Sequence, residues 1–180
     1  MSAKEEFIKA YTENIHRSGA GKLLEWLKGS DFFTAPASAK YHNNHTGGLV
    51  EHSINVWKRL SSRSDLNAET VAICGLLHDL CKVNFYTVST RNVKNEETGQ
   101  WEKKPFYTVN DQLPYGHGEK SVYIISGFMH LTREESFAIR FHMGDCTDRN
   151  VPKAFRMFPL ALMLHIADLE ATFLDEKEGN

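Results

Sequence analysis

The dipeptide His78-Asp79 lies inside an otherwise apolar stretch, VAICGLLHDLCK, residues 71–82. This placement constrains the fold more than any other feature of the chain. Apolar residues recur here at helical spacing, and Asn67 is a suitable N-cap, so the pattern predicts a helix over about 68–82. Ala68, Val71, Ala72, Gly75, Leu76 and Leu80 form its inward side. An ionised carboxylate in such surroundings costs several kcal/mol unless it is paired. Whatever fold buries this helix must therefore supply partners for Asp79.

The same arrangement recurs along the chain, which has nine histidines. His52 lies in GGLVEHS near a helix start, and His117 lies at a helix start in GHGEKS. His142 closes a helix in IRFHMG, and Asp168 sits in the last long helix in LHIADLEA. Two carboxylates and several neutral imidazoles meeting in one place would repel or stay unsatisfied without a cation. A divalent metal removes the conflict, and imidazole with carboxylate suits Mn, Fe, Ni, Co or Zn. None of Cys74, Cys81 and Cys146 belongs to this set, so a soft thiolate site is not expected.

The remaining pattern is mostly helical. Amphipathic helices are expected over 3–17 and 21–28, followed by a loop over 30–45 that contains Pro36 and His42. Thr46 is the expected N-cap of a helix reaching Leu60. Further helices are expected over 118–130, 132–142 and 153–175, with Pro152 opening the last segment and Pro159 dividing it. Residues 85–109 differ: FYTVSTRNV and QWEKKPFYTV are rich in Thr, Val and aromatic residues, with NEETG between them. They read as a β-hairpin inserted between helices.

Composition bounds what this framework can be. A chain of 180 residues fits one domain. Its 41% hydrophobic and 24% charged content is that of an ordinary globular protein. The net charge of −2 excludes a broadly basic nucleic-acid surface but not a local basic groove. Three cysteines without a CxxC pair argue against a disulfide framework and for a reducing, cytoplasmic setting. The charged N-terminus lacks a signal-peptide core, and no apolar run is long enough to suggest a membrane span.

The ordered set His52, His78-Asp79, Asp168 resembles the metal-binding pattern of the HD-domain phosphohydrolase superfamily. The strings YHNNHTGGLVEHS, GLLHDLCK, GHGEKS and ALMLHIADLEA are similar to the HD domain attached to certain bacterial 3′-to-5′ exoribonucleases. Residues 1–180 carry no counterpart of the nucleic-acid-binding OB domain of those enzymes. The resemblance spans about 40–175. It implies an all-α HD-domain helical bundle with the hairpin of about 85–109 inserted, preceded by N-terminal helices over 1–30. It also implies that His52, His78, Asp79 and Asp168 surround one metal. Family members with two ions add two histidines, a role that His117 and His142 are in order to fill, with Asp79 as the bridge. A metal-activated water would then attack phosphorus, while Lys82 holds the phosphoryl oxygens.

Each residue also has a plainer reading. His117 and His142 suit helix ends without any metal, or could bind phosphate. His45 is either a substrate contact or a surface residue. Arg140 is either a phosphate contact or half of a surface ion pair. His165, one turn before Asp168, is either an orienting partner or a satisfied core histidine. Glu119 is either a partner of a ligand or a solvated first-turn Glu. His16 and His130 read as surface positions. Cys74 and Cys81, seven apart, read as buried small hydrophobes on one helix face. Phe85, Tyr86, Trp101, Phe106 and Tyr107 of the hairpin could stack on a base, pack on the hairpin itself, or form a homodimer surface.

The leading functional expectation is a phosphohydrolase acting on a phosphorylated small molecule, a nucleotide or a short nucleic acid, with one or two metal ions and no membrane partner. The alternatives are a non-catalytic metal- or nucleotide-binding sensor built on the same shell, and a di-iron oxygenase.

Overall fold

The computed structural model of the chain describes residues 1–40, 43–63 and 66–176. His42 lies outside the described residues. Eight α-helices and one hairpin make up the architecture among the described residues. Helix α1 spans Ala3–Asn14 and is started by a capping box between Ser2 and Glu5. It stops three residues short of the expected end and buries Phe7, Ala10 and Tyr11. Helix α2 (Ala20–Gly29) follows, then a loop, then α3 (Gly48–Ser61). The N-cap of α3 is Gly47 rather than Thr46, with φ 84°. That angle is in the left-handed region, which glycine enters without penalty.

Helix α4 (Ala68–Leu77) is capped by the Asn67 side chain, which accepts from the backbone N–H groups of Glu69 and Thr70. Val71–Leu77 are all buried, so α4 runs through the middle of the protein with α1, α3 and α6 against it. Gly75 is what lets α3 come close. A Cβ there would lie 2.6 Å from Trp57 Cα, tighter than any real contact. Close approach of these two backbones sets His52 and His78 within reach of each other.

The helix expected over 68–82 ends at Leu77. Leu80–Lys82 form a 3-10 turn instead, and the hairpin then begins: β1 (Tyr86–Lys94) pairs antiparallel with β2 (Trp101–Val109), from Tyr86↔Val109 to Lys94↔Trp101. Most of it is exposed, and only its root is partly covered. The chain returns through α5 (His117–Ser126), α6 (Arg133–Phe141), α7 (Val151–Met157) and α8 (Pro159–Glu170), closing in a π-helical turn, Ala171–Asp175. Pro159 does divide the last segment. The break ends α7 and begins α8, because proline has no N–H to continue the ladder and suits a first helical position.

The apolar core gathers Leu49, Val56, Leu60, Ile73, Leu76, Leu77, Ile125, Ile139 and Leu164 from α3, α4, α5, α6 and α8. Burying those side chains at roughly 1.5–3 kcal/mol each drives assembly. Among the described residues no single helix is long and apolar enough to cross a membrane.

Candidate metal centre

The site begins with the break after α4. His78 keeps helical angles (φ −56°, ψ −32°), and Asp79 leaves them (φ −106°, ψ 23°). Consecutive side chains on a helix point about 100° apart. By leaving the helix at Asp79 the chain turns both residues toward one centre, with His78 Nε2 3.6 Å from Asp79 Oδ2. The 3-10 turn then returns Lys82, whose Nζ donates to Asp79 Oδ2 at 2.6 Å.

Other elements converge on the same point. From α3, His52 Nε2 lies 3.2 Å from His78 Nε2 and 3.6 Å from Asp79 Oδ2. From α8, Asp168 Oδ1 lies 3.1 Å from His52 Nε2 and 4.0 Å from His78 Nε2. On the other side of Asp79, His117 at the start of α5 places Nε2 2.8 Å from Oδ1. His142, just past α6, places its own Nε2 3.5 Å from that oxygen. His52, His78, Asp79 and His142 are buried, whereas Asp168 is 15% exposed and His117 35%. Access to the site is therefore on the His117 and Asp168 side.

The hydrogen bonds of the ring nitrogens facing away from the centre decide what this cluster can hold. His78 Nδ1 is 2.9 Å from the Gly75 carbonyl, and His142 Nδ1 is 2.7 Å from the Ile139 carbonyl. Carbonyls only accept, so both Nδ1 atoms carry the proton. His52 Nδ1 is 2.8 Å from Glu176 Oε1, a carboxylate, and donates likewise. Three buried imidazoles therefore present Nε2 lone pairs to two carboxylates. Lone pairs facing lone pairs and anions require positive charge between them, either a second proton on a ring or a cation. The donor set fits a divalent transition metal, and the outward bonds are of the kind that orient metal-binding histidines.

The titration of the cluster carries the same message. Burial disfavours charge on His52, yet Asp168 and Glu176 outweigh it and hold the pKa up at about 10. Burial pushes His78 down to about 3 against the pull of Asp79, with His142 and His52 adding to the depression. Asp79 is held well below the usual carboxylate range: burial works against this, and Lys82 and the surrounding histidines prevail. Asp168 is lowered against burial by His52 above all. A proton on His52 thus supplies positive charge where the donors call for it.

Two of the expected substrate contacts lie apart from these donors. His45 is at the surface, with Nε2 3.4 Å from Glu51 Oε2. Arg140 pairs with Glu119 at 2.9 Å, the surface ion pair that its plainer reading anticipates, and this also accounts for Glu119. Arg140 and His117 line a common cavity of about 550 Å³. His165 Nδ1 donates to the His142 carbonyl at 2.7 Å, so it supports the backbone beneath a site residue.

Sequence reasoning misses two residues. Glu176 holds His52 from the outside, yet it stands in the run DEKEGN, which reads as solvated chain. Cys81 is buried, as its reading as a small hydrophobe anticipates, but it also lies beside the set. Its Sγ is 3.4 Å from His117 Nε2 and 3.8 Å from Asp79 Oδ1. Because α4 stops at Leu77, Cys81 does not share a helix face with Cys74, and only Cys74 remains purely a core residue. Burial, reinforced by Asp79, pushes the Cys81 thiol pKa up.

No curated protein and no solved structure matches the chain. The family model of the HD domain matches residues 49–169, from the first turn of α3 to the residue after Asp168, and the chain belongs to the HD-domain family.

Proposed function

We propose that the chain is a metal-dependent phosphohydrolase that cleaves a phosphomonoester or phosphodiester, with a nucleotide or short nucleic acid as substrate. HD domains bind divalent metals, and the family generally comprises metal-dependent phosphohydrolases. One observation carries the reading: three buried histidines, each donating Nδ1–H outward, aim Nε2 at Asp79 and Asp168. His52, His78, Asp79 and Asp168 would hold one ion, and Asp79, His117 and His142 a second. When bound, the metal supplies a Lewis acid and a water of lowered pKa.

The chain's own residues then divide the work. Asp79 sits between the two halves of the donor set and offers one oxygen to each, Oδ2 toward His52 and His78 and Oδ1 toward His117 and His142. Lys82 keeps an ammonium beside that carboxylate, positioned to attract phosphoryl oxygens. The cavity shared by His117 and Arg140 gives a phosphoester an approach from the exposed side, past the Arg140–Glu119 ion pair. Glu176 positions the His52 ring, and His165 supports the backbone at His142.

The test is hydrolysis of mononucleotides and short oligonucleotides with manganese added, comparing the protein with Asp79→Ala. Turnover by the protein and its loss in the variant are expected. Hydrolysis unchanged in Asp79→Ala would refute the assignment. Tight nucleotide binding without turnover in any divalent metal would favour the sensor reading.

A further inference from the structure

We infer that Cys81 is a thiolate ligand of the second cation position, joining Asp79 and His117 in a nitrogen, oxygen and sulfur set suited to zinc or cobalt(II). The inference rests on the metal-centre reading and extends it to a residue outside the histidine and aspartate pattern.

Geometry is the first argument. Sγ of Cys81, Nε2 of His117 and Oδ1 of Asp79 form a triangle with sides of 3.4 Å (S to N), 3.8 Å (S to O) and 2.8 Å (N to O). A tetrahedral zinc ion with ordinary bond lengths holds sulfur about 3.6 Å from a nitrogen or oxygen ligand, and nitrogen about 3.4 Å from oxygen. The two sulfur edges already match within a few tenths of an ångström. The nitrogen–oxygen edge is shorter because a hydrogen bond spans it. His142 Nε2 lies 3.5 Å from the same Asp79 oxygen but groups with His78 and Asp79, so Cys81 is what completes the three-donor set around His117.

Placement is the second argument. Cys81 is only 3% exposed, and its backbone N–H donates to Ser121 Oγ at 3.0 Å, which fixes the residue against α5 beside His117. The break after Leu77 turns Sγ to the same side as the Asp79 carboxylate. Among the described residues, Cys74 in the core and Cys146 at the surface have no such donor neighbours, and they serve as internal controls. Binding would form a sulfur–metal bond and release the thiol proton to solvent, with no change in oxidation state. A thiolate among the ligands biases the position away from magnesium and manganese.

Cobalt(II) titration of the full chain tests this. Two retained equivalents are expected, with an intense near-ultraviolet thiolate-to-cobalt charge-transfer band arriving with the second. Cys81→Ser should lose the band and the second equivalent while keeping the weaker visible bands of the first. The Cys74→Ser/Cys146→Ser double variant, in which Cys81 is the sole thiol, should keep the band. It decides the matter even if Cys81→Ser does not fold. Two equivalents without the band, or a band that survives in Cys81→Ser, would overturn the thiolate ligand and leave the metal centre standing. Failure to retain cobalt at all would overturn both.

Discussion

The Nε2 atoms of His52 and His78 face each other at 3.2 Å, deep in the protein and between the carboxylates of Asp79 and Asp168. Since His78 gives its Nδ1 proton to the Gly75 carbonyl, its Nε2 meets His52 with a lone pair. The contact is favourable only when something positive lies on the other side, either a proton on His52 or a metal ion.

That equivalence gives a pH dependence with a definite sign. The folded-state pKa of His52 is raised from 6.5 to about 10. A raised pKa contributes stability that is complete below pH 6.5, declines as pH rises above it, and is gone past about pH 10. The loss is up to about 1.4 kcal/mol per pH unit. His142, also raised, acts in the same direction. With a chelator present, Tm should fall by roughly 5–10 °C between pH 7 and pH 9 on these grounds. With manganese bound, the ion replaces the proton and the decline should flatten. Thermal melts at both pH values, with and without metal, check this, and parallel declines would contradict it.

The candidate metal ligands were legible because each polar group stands in or at the end of a largely apolar helical stretch, where only function or a partner explains it. His52, His78, Asp79, His117, His142 and Asp168 all stand out this way, and all meet in the structure. The helix break was not legible. Leu80 and Cys81 continue the apolar period, so nothing local says that α4 ends at Leu77, and that ending turns Cys81 from core filler into a neighbour of His117. The hairpin was readable from its Thr, Val and aromatic content. That it projects with Val88 and Trp101 exposed depends on tertiary packing that its residues do not encode.

Glu176 is a positioning residue, and its replacement should act through metal affinity. It accepts the Nδ1 proton of His52 and also lies 3.4 Å from Asn55 Nδ2. Changing such an outer partner of a metal-binding histidine costs about 10–100-fold in affinity. Glu176→Gln should weaken manganese binding by that amount, with turnover recovering at saturating metal. Equilibrium dialysis with activity measured across metal concentration tests it. Lost turnover with unchanged affinity would be the wrong result.

On the proposed reading, replacing Lys82 should separate catalysis from metal retention. Lys82→Met keeps the aliphatic stem and removes the ammonium that Asp79 Oδ2 holds at 2.6 Å. Without metal, a buried carboxylate loses its nearest cation, which should destabilise the protein by about 3 kcal/mol. Metal should restore most of that. Turnover should fall about 100-fold or more with metal content unchanged, since one charge aimed at the developing phosphoryl charge is missing. Melting curves, metal analysis and steady-state rates together distinguish this from simple misfolding.

Gly118 tests how the second half of the site is held together. It lies one residue after His117, and a Cβ there would run into the backbone carbonyl oxygens of Ile139 and Arg140 on α6. Backbone atoms cannot swing aside, so Gly118→Ala must push α5 from α6 and His117 from His142, whose ring centroids are now 5.3 Å apart. Overpacking of this kind costs about 1–3 kcal/mol, or very roughly 3–9 °C in Tm for a chain of this size. One metal equivalent should be lost with it, because the position beside Asp79 Oδ1 needs both rings. Gly21→Ala is the matched control: it sits in α2 with nothing within 4 Å of the added carbon, so relief of glycine's backbone entropy should stabilise the helix slightly. If Gly118→Ala melts like Gly21→Ala and keeps both equivalents, the close approach of α5 and α6 does not set the spacing of the two histidines.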